Sequence, residues 1–372
     1  ATLFGAPISN IIAASESVAP YYYHKAKKGA TSTVVSVDIG GGTTDVLIVD
    51  KGEPKYLTSF RFAANTIFGD GYSYDSDSNG FVNKYKDIIT NQLETNNLRG
   101  LKAVLKSVLD KRVSTDVIAF LFSLASNKEI KKEKVEINFA KMLADDNRGK
   151  YVVILFYVAI VYHIAKLMKA KGFDMPRHMT FSGNGSKVLN ILSTNDATLV
   201  RLTKIILEEI YAQSYSIDGL DIIRPANSKE STCKGGIILT PFQSQDYGEI
   251  KDMKTILIGT DNEKFADVHM TYNDVTEADL DSVVVVFKEY IEFTFKLDKK
   301  FSFYDNFDVD RSIMNKVKDL CYRDIRTYLE NGLAIKKSEI AQDGADDNLE
   351  ETLFFYPLVG IINAVVRNIY QM

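Results

Sequence analysis

From Thr33 to Phe62, β-branched and apolar residues alternate or cluster in short runs, TVVSVD, TTDVLIVD and KYLTSFRF. Glycine and Gly-Glu-Pro turns separate them, a pattern that predicts three β-strands. The period changes after a polar loop, GDGYSYDSDSNG (residues 69–80). Beyond it, YKDIITNQL, LRGLKAVLKSVLDKR and DVIAFLFSLAS carry the 3.6-residue spacing of amphipathic helices. The charge run NKEIKKEKVE predicts a solvated loop or helix end. The most apolar stretch, YVVILFYVAIVYHIA (residues 151–165), contains His163. It falls short of the ~20 residues a bilayer span needs, so it predicts a helix buried inside the protein.

Gly172 then stops that helix, HMTFS predicts a short buried strand, and a new helix is expected from about Ser186. A helix near residues 195–214 precedes LDIIRPANSKESTCKGGIIL, which predicts a strand, a turn and a capped helix. Past Thr240, KTILIG and FADVHMTY predict strands, whereas EADLDSVVVVFKEYIEFTF, DVDRSIMNKVKDLCYRDIRTYLENG and the final run predict helices. AQDGADDNLEE is an acidic loop, and no internal repeat is visible. The apolar strips VVVVFKEYIEFTF and LFFYPLVGIINAVV suit either core burial or a partner surface.

Composition narrows the class. A chain of 372 residues can hold two or three domains, and 45% hydrophobic with 25% charged residues is ordinary for a soluble globular protein. The net charge of −4, with both signs interspersed, gives no sign of a nucleic-acid partner. Two cysteines and four scattered histidines make neither a disulfide framework nor a metal site. Together with an N-terminal stretch that lacks a basic signal-peptide start, they predict a cytoplasmic protein without a membrane span.

The candidate chemistry lies in VVSVDIGGGTTDVLIVDKG (residues 34–52). Three glycines between two strands make a hairpin tip free to adopt positive φ and bare enough for a ligand to reach the backbone. Successive N–H groups there can face an anion, and Thr43 and Thr44 add hydroxyl donors. Asp38, at the end of the first strand, suits a phosphate site only if a cation intervenes; Mg²⁺ bridges carboxylates to nucleotide phosphates. The alternative is a plain glycine-rich hairpin turn. Neither the P-loop pattern nor the dinucleotide fingerprint fits, since both lead from glycines into a helix.

DIGGGTTDVLIV resembles the second phosphate motif of the actin and heat-shock-chaperone ATPase superfamily, at Asp38, Gly40, Gly41, Gly42, Thr43, Thr44 and Asp45. Upstream, NIIAASESVAPYYYHKA resembles the helix before that hairpin, which implies Glu16 as a polar group near Mg²⁺ and the attacking water; an exposed helical glutamate is the alternative. Downstream, HMTFSGNGSKVLNIL resembles the adenosine motif, with Gly183, Asn184 and Gly185 bordering the nucleoside, or else an ordinary strand–turn–helix connection. RPANSKESTCKGGIIL resembles the closing helix, with Gly235 and Gly236 suited to close packing; Lys229 either reaches the nucleotide or faces solvent.

The resemblance covers about residues 9–240 and implies an α/β, ribonuclease H-like actin-type ATPase lobe. It sets residues 1–70 and 176–240 as the nucleotide-binding core, with 71–175 as a helical insertion subdomain; residues 241–372 lie outside it and read from their own pattern as a mixed α+β, mainly helical extension of unknown role. It implies ATP and Mg²⁺ as ligands, with Asp38 and Glu16 in catalytic roles and Asp38 on the metal. The first phosphate motif of that superfamily has no counterpart upstream of Asp38, and the sequence opens without Met. A fragment or degenerate member lacking the first lobe is therefore expected, an ATPase only if that lobe is supplied elsewhere. The competing expectation is a non-catalytic scaffold on the same fold, with a protein partner or self-assembly. Sugar and acetate kinases share the fold too, but no substrate-site signature of theirs is recognisable.

Overall fold

The computed structural model describes residues 2–3, 6–7, 19, 21–23, 33–72, 79–215, 219–225, 228–238, 270–343, 348–349 and 351–371. Strand β1 (Val34–Ile39) enters the glycine turn and returns as β2 (Thr44–Asp50). Lys51 and Gly52, both at positive φ, then turn the chain into β3 (Glu53–Phe60). Two such residues suit the right-handed twist of the strands they join. Strands β4 (His178–Ser182) and β5 (Asp221–Ile223) complete a mixed sheet in the order β3-β2-β1-β4-β5. The first three strands form an antiparallel meander, while β4 and β5 add in parallel beside β1. The protein is thus α/β and mainly helical around one five-stranded sheet.

Helices follow as α1 (Ala64–Phe68), α2 (Gly80–Thr95), α3 (Arg99–Asp110), α4 (Ser114–Ser123) and α5 (Lys150–Ala170). Beyond β4 come α6 (Asp196–Tyr211), α7 (Ser228–Ile238), α8 (Glu277–Phe301), α9 (Met314–Tyr322), α10 (Ile325–Asp343) and α11 (Tyr356–Tyr370). Asn195 caps α6 by accepting from the Ala197 amide, where the sequence put its start.

Both faces of the sheet are covered. Val35, Val37, Ile39, Val46 and Ile48 join the main core, whose axis is α5. Contact runs through aromatic pairs, Phe62 with Phe156 at 4.9 Å and Tyr157 with Phe181 at 5.6 Å between ring centres. On the other face Val34, Leu47 and Val49 pack with Ala19, Tyr21 and Tyr22. The main buried cluster continues from the sheet and α2–α6 into α8, α9 and α11, so segments on both sides of residue 240 share it. The strips VVVVFKEYIEFTF and LFFYPLVGIINAVV contribute buried Phe287, Tyr290, Phe354 and Ile361 to this packing; Val283 is buried in a second cluster with Tyr272 and Leu329, while Val285 stays exposed.

Helix α5 is apolar all round, as a helix surrounded by protein must be. Asp146 accepts the amides of Arg148 and Gly149, both at 3.0 Å, and so ties down the start of the helix. At 21 residues it is longer than its apolar sequence run and could cross a membrane by length and composition, as could Leu353–Tyr370. In this fold 94% of the first apolar window and 67% of the second are buried. His163 sits among Phe60, Phe354 and Phe355, and burial pushes its pKa down to about 3. It is therefore a neutral core side chain.

One expectation is corrected, one is made more definite, and one falls mostly outside the described residues. The helix expected from Ser186 is a 3₁₀ turn, Gly185–Val188, followed by the single turn Leu189–Leu192. The Ser186 hydroxyl donates to the Gly183 carbonyl at 2.8 Å and tightens that turn, a local bond that competes with regular helix. The charge run is a short helix, Lys128–Lys132, that passes into coil. KTILIG and most of FADVHMTY lie outside the described residues; at the end of the latter, Thr271 makes one isolated bridge to Asn348, and Tyr272–Asp274 is a 3₁₀ turn.

Candidate functional site

The glycine hairpin and the Gly-Asn-Gly turn meet at one end of the sheet. The four-residue loop between Ile39 and Thr44 is closed by the Gly40 amide donating to the Thr43 carbonyl at 2.8 Å. The Gly40 and Gly41 carbonyls accept from the Ala64 and Asn65 amides at 3.3 and 2.8 Å, so the tip sits on the first turn of α1. In a trans peptide the carbonyl and the following N–H point opposite ways. Those two bonds therefore turn the Gly41 and Gly42 amides away from α1. Among the described residues no backbone carbonyl accepts the amides of Gly41, Gly42 or Thr43, and all three residues are exposed.

None of Gly40, Gly41 and Gly42 has positive φ, contrary to the expectation for the tip. A β-carbon on Gly42 would meet nothing within 4 Å, and one on Gly41 would make ordinary contact with Asn65 at 3.4 Å. At Gly40 it would press the Thr43 carbonyl at 3.1 Å. The fold itself requires glycine at neither 41 nor 42.

The second turn differs. Gly183 has φ +81°, and a β-carbon there would lie 2.2 Å from both the Asp38 Oδ1 atom and the Ile39 carbonyl oxygen. At Gly185 it would lie 2.1 Å from the Gly40 carbonyl oxygen. The space these glycines leave is thus filled by the hairpin's own backbone, while Asn184 is exposed on the turn between them.

Register places Asp38 opposite Asp45 on β2 and beside Ser182 on β4. Directly paired residues share a face, so two carboxylates stand side by side near the tip. Both carboxylates also make other interactions, and a cation bound near the tip would ease the repulsion between them. The donors are oxygens, and Mg²⁺ is held through one or two carboxylates plus phosphate oxygens and waters, so the pair fits that ion. No cluster of three or more His, Cys, Asp or Glu side chains suited to a metal occurs among the described residues.

The threonines separate. Thr43 is exposed beside the open amides, but Thr44 is buried and donates to the Phe62 carbonyl at 2.6 Å. Its hydroxyl holds the meander to the start of α1 and is committed there. Glu16 lies outside the described residues; Lys229 lies on α7, with its side chain also outside them. Of the closing-helix glycines, Gly235 packs on Ala19, where a β-carbon would fall 1.7 Å from the carbonyl oxygen, and Gly236 faces open space. The structure therefore brings Asp38, Gly40–Thr43 and Gly183–Gly185 together.

Gly42 also borders a cleft of about 380 Å³ between the β3–α1 connection and helices α4, α10 and α11. Arg61 lines it, its amide donating to Glu351 at 2.7 Å and its guanidinium to Glu339 at 2.6 Å. Glu351 is buried and also accepts from the Tyr356 hydroxyl at 3.0 Å. Burial raises its pKa, against the lowering effect of these two donors and of the Arg61 and Lys336 charges. Asp45 stands in the motif without a role of its own; its place opposite Asp38 follows from the hairpin's pairing, because the turn length fixes it. The cleft had no such signal. No family model and no curated protein matches the chain.

Proposed function

We propose that this chain is a nucleotide-binding lobe of an actin-like or heat-shock-chaperone-like ATPase, with a ribonuclease H-like core. It takes a Mg²⁺-nucleotide with its phosphates against the amides of Gly41, Gly42 and Thr43. The observation that carries the reading is glycine at 41 and 42, where neither φ nor packing calls for it. A ligand needing close access to the backbone supplies the reason that the fold does not. The meander flanked by parallel strands, and the meeting of the two glycine turns at one sheet end, also suit the resemblance.

In this arrangement Asp38, with Asp45 beside it, would hold Mg²⁺ through carboxylate oxygens, and the ion would neutralise phosphate charge. Gly183 and Gly185 let the second turn seat on the hairpin, and exposed Asn184 is the side chain of that turn placed to meet a nucleoside. Phosphoryl transfer depends on positioning and on charge stabilisation around the whole phosphate chain. Binding without rapid hydrolysis is therefore the expected behaviour of these residues acting alone.

Calorimetric titration with Mg²⁺-ATP, repeated on Asp38→Ala, tests the reading. Binding by the native chain, weakened about tenfold or more in the variant, is expected from losing a charged ligand to the metal. Equal affinity for both proteins would remove Asp38 from the metal site.

A further inference from the structure

The cleft beside Gly42 is lined by several charged side chains. Arg61 engages Glu339 and Glu351, and Asp70 takes a hydrogen bond from the Ser114 hydroxyl. The other cation lining the cleft is Lys336 on α10, which is half-buried. Its ammonium lies 5.5 Å from the centre of the Tyr272 ring, and among the described residues it makes no ion pair. The Lys336 charge also reaches buried Glu351, whose pKa it helps to lower, and a half-buried ammonium between that carboxyl and the Tyr272 ring is a counter-charge that an anion in the cleft can meet.

Two features therefore face one cleft, the bare α-carbon at Gly42, which the fold does not require, and the Lys336 ammonium, which is close to Tyr272 and in the field of Glu351 but makes no direct ion pair among the described residues. We propose that Lys336 is a phosphate-binding residue, so that α10 forms the second wall of the nucleotide site. The phosphate chain, resting on the tip amides, passes over Gly42 and places an anionic oxygen at the Lys336 ammonium. This rests on the nucleotide reading above and adds to it a function for the segment beyond residue 240. A polyphosphate is the class of ligand, because a single phosphate on the tip would leave the cleft side unfilled.

The test compares the native chain, Lys336→Gln and Lys336→Arg in titrations with Mg²⁺-ATP and with Mg²⁺-tripolyphosphate, alongside Asp38→Ala. Lys336→Gln is expected to bind both ligands about tenfold more weakly, the usual scale for losing one charged hydrogen bond. Lys336→Arg keeps the charge and should retain most of the affinity. If Lys336→Gln binds both ligands as the native chain does while Asp38→Ala does not, the lysine assignment falls and the nucleotide reading stands. Weakening with ATP but not with tripolyphosphate would place Lys336 at the nucleoside and overturn the proposal. A native chain that binds neither ligand overturns both readings.

Discussion

At Gly183 a β-carbon would collide at 2.2 Å with the Asp38 carboxylate and the Ile39 carbonyl, whereas at Gly42 it would meet nothing within 4 Å. The two turns touch, and both are written with glycines around a polar sequence, but the causes differ. In the Gly-Asn-Gly turn the residue type is demanded by the protein's own backbone. In the triple-glycine turn two of the three positions would accept a methyl group. A glycine-rich signature is thus not one kind of signal. Only glycines that the fold does not need point to something outside the fold.

The strongest way to break this comparison is to add the methyl where it should not fit. Gly183→Ala combines a left-handed backbone with overpacking, so a loss of about 2–5 kcal/mol is expected in chemical denaturation. A stable Gly183→Ala protein would mean that the turns do not press together. Thr44→Val comes next, since it strands the buried Phe62 carbonyl and should cost about 1–3 kcal/mol. Its affinity for Mg²⁺-ATP should be unchanged, which separates Thr44 from the exposed Thr43; a large loss of binding would return the Thr44 hydroxyl to the ligand. Gly42→Ala sharpens the contrast with the smallest stability effect. The substitution should leave stability unchanged or raise it by about 0.4–1 kcal/mol, through a less flexible unfolded chain. It should weaken Mg²⁺-ATP about tenfold, the scale of one misplaced methyl in a tight contact. Unchanged binding by Gly42→Ala would restore the plain hairpin turn.

Local pattern carried most of the sheet. The alternation in residues 33–62 produced three paired strands, and HMTFS, short and apolar, forms the buried strand that was expected, with its parallel pairing to β1 shown only by the structure. The uniform hydrophobicity of residues 151–165 marked the central helix, because nothing but full enclosure suits such a surface. What failed turned on hydrogen bonds and contacts that periodicity does not encode. The Thr44 hydroxyl looks like a ligand donor until Phe62, 18 residues away, is seen to take it. The turn at Ser186 looks like a helix start until its hydroxyl closes back on Gly183. The cleft joins Arg61 to Glu351 and Gly42 to Lys336, and no periodicity or spacing in the chain announces such pairs.

The bond from the Arg61 amide to Glu351 spans 290 positions. Closing so long a loop is entropically slow, and synthesis delivers its two ends far apart in time. A nascent chain that has emerged only to residue 240 already carries the complete glycine hairpin, but neither α10 nor Glu351. Its tip stands over an unfinished wall. If the wall is needed for tight binding, ligand capture becomes a late event in the life of each new molecule, and nucleotide cannot template the early sheet.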